Sequence, residues 1–497
     1  MELQFKKTLL PCLDTVLREV QNQEQTQELK LPDGMPDVGR VLSAWGQGIL
    51  RSKEWRSGTV TLSGGIMVWV LYAPEDGTQV RCIDSWIPFQ MRWDLPEEAP
   101  EGTLRICLAP RFVDARSVSA RKIMVRCGIG AMVQALSPRE AEIYSPEQPP
   151  EGVELLRNTY PVRLPVEAGE KSFLLEEDLT LPDSAPEPEK LLYYHLTPKL
   201  SDPKVLGNKL VFRGIGLLHV LYLSEEGQLF SWDFELPFSQ YADLEGGHSQ
   251  EARADVMPGT TALELELDDE GQLHLKCSLV EQYVVDDLQM LELTQDGYFP
   301  GREMTVQWEE LALPAILETR QQTLSGEQNI PGEAAIVTDA RLLMDFPRQR
   351  RTESGVCLML SGTLQLLYYG EDRSLHGINT RYEAQHSILC DDCCQLDLQL
   401  IAPAMEIQPG SSAAKLEIPI AITVTGGSPL SMMRSAQLGQ PRQPDPQRPS
   451  LILQRAGNSG LWDIAKSCDS TVAAIRKANR LEADPLPGQM LLIPISG

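Results

Sequence analysis

Apolar residues recur along most of the chain with the two-residue period of a β-strand. The 3.6-residue period of a helix is confined to the stretch after Leu451. Three apolar runs stand out because they are built alike. The first covers Gly64 to Tyr72 and leads into Glu75-Asp76-Gly77. The second covers Gly214 to Tyr222 and leads into Glu225-Glu226-Gly227. The third covers Leu360 to Tyr368 and leads into Glu371-Asp372-Arg373. Each ends in a Leu-Tyr pair, at Leu71-Tyr72, Leu221-Tyr222 and Leu367-Tyr368. The pattern predicts a largely buried strand entering an acidic hairpin turn, where glycine accepts the positive φ the turn demands.

Flanking motifs repeat with them. Leu31-Pro32-Asp33 with Pro36 precedes the first run at the same distance at which Leu181-Pro182-Asp183 with Pro186 precedes the second, and Ile330-Pro331 is the trace before the third. Ile87-Pro88-Phe89 and Leu236-Pro237-Phe238 follow the first two. A spacing of roughly 150 residues is domain-sized and too long for a solenoid repeat. The expected architecture is therefore mainly β, with three repeated antiparallel β domains at 1–136, 151–290 and 319–425. Ser137 to Pro150 reads as a linker. Residues 426–450, with Pro429, Pro441, Pro444, Pro446 and Pro449, read as a Pro-rich tether. After it, 451–497 has the order strand, helix, helix, strand: Leu451 to Leu453, an apolar helix face at Leu461, Ile464 and Ala465, a second at Val472, Ile475 and Ala478, then Met490 to Ile493.

Composition adds exclusions. A formal net charge of -26 opposes bulk electrostatic attraction to nucleic acid or anionic membrane. No apolar run is long enough to be a transmembrane helix. The first residues, with Lys6 and Lys7 but no apolar core, do not read as a secretory signal, so a cytoplasmic location with reduced cysteines is expected.

The C-terminal segment closely resembles a LysM domain through Leu461-Trp462-Asp463-Ile464-Ala465, Thr471-Val472, Ala478-Asn479 and the run from Leu486-Pro487-Gly488 to Pro494. The resemblance implies a βααβ fold and a shallow groove for peptidoglycan or N-acetylglucosamine polymers. Its walls would be Asn458, Ser459 and Gly460 on one side and Asn479, Arg480, Leu481 and Leu486 on the other. Where the family usually carries Gly-Asp-Thr, this chain has Asn458-Ser459-Gly460. A carboxylate acceptor is thereby lost. Trp462, beside the apolar helix face, reads as core.

The whole order, with the Leu-Pro-Asp and Leu-Tyr motifs, resembles SipL-type spore-coat morphogenetic proteins built of SPOCS domains. That implies a non-enzymatic adaptor, with no cofactor, in endospore coat and cortex assembly. It would act in the mother cell at the forespore surface and dock to a SpoIVA-type coat-basement ATPase. The LysM would serve as its binding module. A peptidoglycan tether through that module is the alternative.

Little else suggests chemistry. The chain has no phosphate loop, zinc-protease helix or nucleophile elbow. The acid pairs at the hairpin tips read as solvated charges. His386, Cys390, Cys393 and Cys394 have partial zinc-knuckle spacing, but no second ligand pair at the usual distance, and read as loop thiols rather than a metal site.

Overall fold

A computed structural model describes the chain except for residues 97–98, 331–335, 354, 390–393, 409–410, 443–448, 457–459 and 496–497. The mainly β reading holds. Strands are antiparallel throughout the described residues, and the two helices lie near the C-terminus.

Three β-sandwiches follow one another. In the first, Phe5–Lys30, Lys122–Pro146 and Thr103–Ser119 form one sheet, with Lys122–Pro146 in the middle. Val38–Arg56, Thr59–Pro74 and Arg81–Asp94 form the other, with Thr59–Pro74 in the middle. The second repeats this with Glu154–Leu179, Leu273–Tyr298 and Arg253–Leu267 against Pro188–Leu200, Lys209–Ser224 and Leu229–Asp243. The third uses Ile316–Asn329, Ala413–Gly426 and Cys394–Leu400 against a sheet centred on Gly355–Tyr369. Each sandwich encloses its own apolar core. The three Leu-Tyr runs are thus the central strands of corresponding sheets. They end in the same turn, closed by a backbone hydrogen bond from Gly77 to Pro74, Gly227 to Ser224 and Arg373 to Gly370. Positive φ recurs at Gly77 (71°), Gly227 (77°) and even Arg373 (61°).

Adjacent residues on a strand point to opposite faces. Tyr72, Tyr222 and Tyr368 enter the cores of their own sandwiches. Leu71, Leu221 and Leu367, one residue earlier, point the other way and meet in a single cluster with Trp45, Trp69, Leu192 and Tyr193. That shared cluster joins the outer faces of all three central sheets. Around it Trp45 of the first sandwich stacks on Tyr193 of the second, with centroids 4.7 Å apart. Arg341 of the third bonds the Gly46 carbonyl of the first at 2.9 Å and the Tyr193 hydroxyl of the second. His219 of the second lies 2.8 Å from Asp339 of the third and 2.6 Å from its own Asp233. Burial works against a charge on this ring, but Asp339 and Asp233 outweigh it and hold the pKa up, at about 9.

The other sheets also meet. Gln282 of the second sandwich bonds both the amide and the carbonyl of Ile106 in the first, each at 2.8 Å. Arg105 of the first pairs with Asp255 of the second at 2.7 Å, and Arg18 of the first with Asp397 of the third at 2.9 Å. These charges line a cavity of about 920 Å³ where the three bodies meet, and they neutralise one another across it.

Two expected linkers are strands. Lys122–Pro146 continues past Leu136, and Ser137 to Pro146 pairs with Asp14 back to Phe5. Within the Pro-rich 426–450 stretch, Leu430–Pro441 pairs with Arg302–Leu311, while 443–448 lies outside the described residues. Both segments belong to arms that extend the sandwiches' long strands. Cys12, Ala141 and Ile143 from the first arm, Leu164, Leu291 and Leu293 from the second, and Leu311 and Met432 from the third share one core. The buried positions Met432, Met433, Ala436 and Leu438 outweigh the prolines, which sit at or beyond the ends of the strand.

Two outcomes follow from this packing. Tyr222→Ala removes a nearly fully buried aromatic and should cost about 3–5 kcal/mol, loosening mainly the second sandwich. Leu221→Ala should raise amide exchange in all three bodies at once, because its side chain sits in the shared cluster. An exchange map confined to residues 154–298 for the Leu221 variant would refute the shared-core reading.

Glu281 makes the stability depend on pH. It is fully buried, neither carboxylate oxygen has a hydrogen-bond partner, and burial pushes its pKa from 4.5 up to about 8. The folded state therefore holds this proton more tightly than the unfolded chain. The associated stability is complete below pH 4.5 and drains away as pH rises towards 8. Glu281→Gln should flatten this fall: its melting temperature relative to the parent should rise progressively from about pH 5 to pH 8. An offset constant across that range would show the carboxyl is already ionised in the fold.

Candidate functional site

The C-terminal module is a two-stranded ribbon, Leu451–Arg455 with Met490–Pro494, carrying helices α1 (Leu461–Ser467) and α2 (Val472–Asn479). The N-terminus of α2 is capped by Thr471, whose side chain accepts from the Ala474 amide at 3.0 Å. It ends at Arg480, which adopts φ 52° and donates its amide back to the Arg476 and Lys477 carbonyls. Leu461, Ile464, Ala465, Ile475, Leu491 and Ile493 fill the small core.

The expected groove residues divide. Asn458 and Ser459 lie outside the described residues. Gly460 is the exposed N-cap of α1, without a side-chain capping bond. Asn479 faces inward to the ribbon: its amide group donates to the Ile475 and Leu492 carbonyls, and its carbonyl accepts from the Leu492 amide at 2.7 Å. Both of its amide N–H donors and one acceptor position of its carbonyl are committed to holding α2 on the ribbon. Leu481 packs half-buried against the core, whereas Arg480 is exposed and Leu486 is 74% exposed. Of the metal candidates, Cys390 and Cys393 lie outside the described residues. His386 has a buried, unpartnered Nε2, and Cys394 is buried at the start of its strand.

The outer face of the ribbon escapes the reading of the sequence. Leu453 stands opposite Leu492 and Arg455 opposite Met490, with Leu451 at the strand start. Leu451, Leu453, Met490 and Leu492 are exposed together, and Leu486 precedes the second strand. A signal for it is present. Leu451 to Leu453 and Met490 to Ile493 are unbroken in apolar or amphipathic character, and a two-stranded ribbon with helices on one side can bury only alternate residues of such runs. Such an apolar face on so small a module is left open to solvent rather than covered by its own helices.

Trp462 packs partly buried against the module's core, as expected of it, and has a further role. Its indole N–H donates to Asp296 at 2.8 Å and its ring packs edge-on to Tyr298, with centroids 4.9 Å apart. Lys466 reaches the same Asp296 carboxylate, the Tyr298 hydroxyl donates to the Ser470 carbonyl at 2.9 Å, and Arg442 pairs with Asp469. Burial raises the Tyr298 phenol well above its ordinary pKa, so it remains a donor. The module is therefore mounted on the arm of the second sandwich through one face of α1, and its ribbon face stays open.

Comparison with known proteins gives two matches. Residues 187–267 match the family model described as SipL, SPOCS domain, and residues 460–494 match that of the LysM domain. The first match runs through the second sandwich from Pro188–Leu200 to Arg253–Leu267 and includes Leu221-Tyr222. No curated protein and no solved structure matches the chain.

Asp296→Ala should release the module without unfolding it, since it removes the acceptor shared by Trp462 and Lys466 and no core atom. Small-angle scattering should show a broader distribution of interdomain distances, with the module's own amides still protected. An unchanged profile would mean that Tyr298 and Arg442 hold the module alone.

Proposed function

We propose that this chain, which carries a SPOCS domain and a C-terminal LysM domain, is a non-enzymatic adaptor of endospore coat assembly whose LysM docks on protein. The SPOCS match supports a role in sporulation, and both matched domains are binding modules rather than catalytic ones. The partner in this reading is a SpoIVA-type coat-basement ATPase at the forespore surface, on the mother-cell side. Among the described residues no helix is long and apolar enough to cross a membrane.

The observation that carries the reading is the open ribbon face of Leu451, Leu453, Met490 and Leu492, with Leu486 beside it. An apolar sheet face has few groups to bond sugar hydroxyls, and it matches the buried centre of a protein interface. The commitment of Asn479 to backbone bonds removes one polar wall of the expected glycan groove. A second reading, a peptidoglycan or N-acetylglucosamine tether, is favoured by the LysM match itself and by the accessibility of Gly460, Arg480 and Leu486.

Leu453→Asp with Leu492→Asp should abolish pulldown of a SpoIVA-type ATPase and recruitment to the forespore while leaving the module folded, because both side chains already face solvent. Sedimentation with insoluble peptidoglycan, measured in parallel, should be weak and unaffected. Strong sedimentation lost on Arg480→Ala, with ATPase capture unchanged in the Asp variants, would replace the adaptor reading with the tether.

A further inference from the structure

A second site lies on the first sandwich, far along the chain from the LysM. Between the edge strands Phe5–Lys30 and Arg81–Asp94 is an open slot of about 660 Å³. Gln23 and Gln25 line one side, Trp86, Pro88 and Gln90 the other, and Arg51, Ser63 and Gly64 the remainder.

Three local features build it. Arg51 is the extra residue of a β-bulge, since Leu50 pairs with Gly64 and Ser52 with Ser63, and the bulge re-aims its side chain. The guanidinium lies over the Trp86 ring, 5.0 Å from its centroid. The indole in turn lies flat against Gly65, where an added Cβ would come within 2.2 Å of the ring. Arginine, indole and glycine backbone thus form one stack, which holds the exposed guanidinium over the indole. The second sandwich lacks this arrangement. At the same register it has Ile215 for Gly65 and Glu235 for Trp86.

The chemistry of the slot is distinctive for this chain. Seventy acidic residues face forty-four basic ones overall, yet no carboxylate lines the slot, and Arg51 pairs with none among the described residues. Amides and a hydroxyl surround it, and the Gln23 Oε1 is buried with no donor. Amide groups that both donate and accept suit ligand hydroxyls, which do the same. An unpaired, pre-oriented guanidinium suits a carboxylate. Pro88 has no N–H to offer in the middle of the edge strand, so a peptide adding to that edge would lose ladder bonds.

We propose that this slot binds a carboxylate-bearing saccharide, with Arg51 taking the carboxylate and Gln23, Gln25, Gln90 and Ser63 the hydroxyl and amide groups. The site does not depend on what the LysM binds. N-acetylmuramic acid and N-acetylglucosamine differ only in the acidic lactyl group and are the probes. Titrated calorimetrically into the full chain at matched ionic strength, the acid should bind at least tenfold more tightly than the neutral sugar. Arg51→Gln should erase that preference and leave any N-acetylglucosamine binding by the LysM unchanged. Arg51 is exposed, so the variant should fold, and an unshifted melting curve checks this. Gln90→Ala should weaken binding of the acid without removing the preference. Equal binding of the two sugars, no binding of either, or a preference that survives Arg51→Gln overturns the proposal. Tighter binding of an N-acetylated Glu-Glu dipeptide than of N-acetylmuramic acid would identify an acidic-peptide site instead.

Discussion

The molecule depends on strands that are buried on both faces. A sandwich strand normally spends one face on its core and leaves the other to water. Leu71-Tyr72, Leu221-Tyr222 and Leu367-Tyr368 use both, with the tyrosine closing the sandwich and the leucine closing the junction between sandwiches. The pair is therefore a coupling device at the scale of one peptide unit. Every contact around the junction, from the Trp45–Tyr193 stack to the Arg341 bridge, is held in place by sheets whose outer faces are apolar at that point. A single core rarely grows past a few hundred residues. Here the chain instead builds three ordinary cores and joins them with shared ones.

Charge is placed to suit that design. Ion pairs between sandwiches, such as Arg105–Asp255, Arg18–Asp397 and His219–Asp339, lie in or beside the apolar junctions. Burying such groups is costly unless each finds its partner, so wrong dockings are penalised more heavily than the right one is rewarded. The surplus of acidic residues is left to the rest of the molecule, where it serves solubility.

Much of this fold is legible in the amino-acid sequence. The strand periodicity, the repeated Leu-Tyr turns and the C-terminal helix faces are local patterns, and local patterns survive in a sequence. Glycine is a good guide at Gly77 and Gly227, and Arg373 adopts the same backbone without it. What stays hidden is non-local. Ser137 to Pro146 and Leu430–Pro441 resemble linkers because their prolines and polar residues say nothing of the strands that pair with them. Asn479 resembles a ligand-facing loop residue, and only the fold shows that it is bonded to Leu492. Trp462 does stand beside the helix face, but its partners Asp296 and Tyr298 are far away along the chain, and no spacing rule finds them.

The mounting of the C-terminal module has a mechanical consequence. A module on a loose tether can be captured in any attitude, and its capture says nothing about where the rest of the molecule points. Here Trp462, Lys466 and Ser470 fix one side of the module to Asp296 and Tyr298. Whatever seizes the opposite side therefore acquires a bearing as well as an attachment. Many copies held in this way on one surface would all lean in the same direction, and the layer they form would have a polarity before any neighbour touched another.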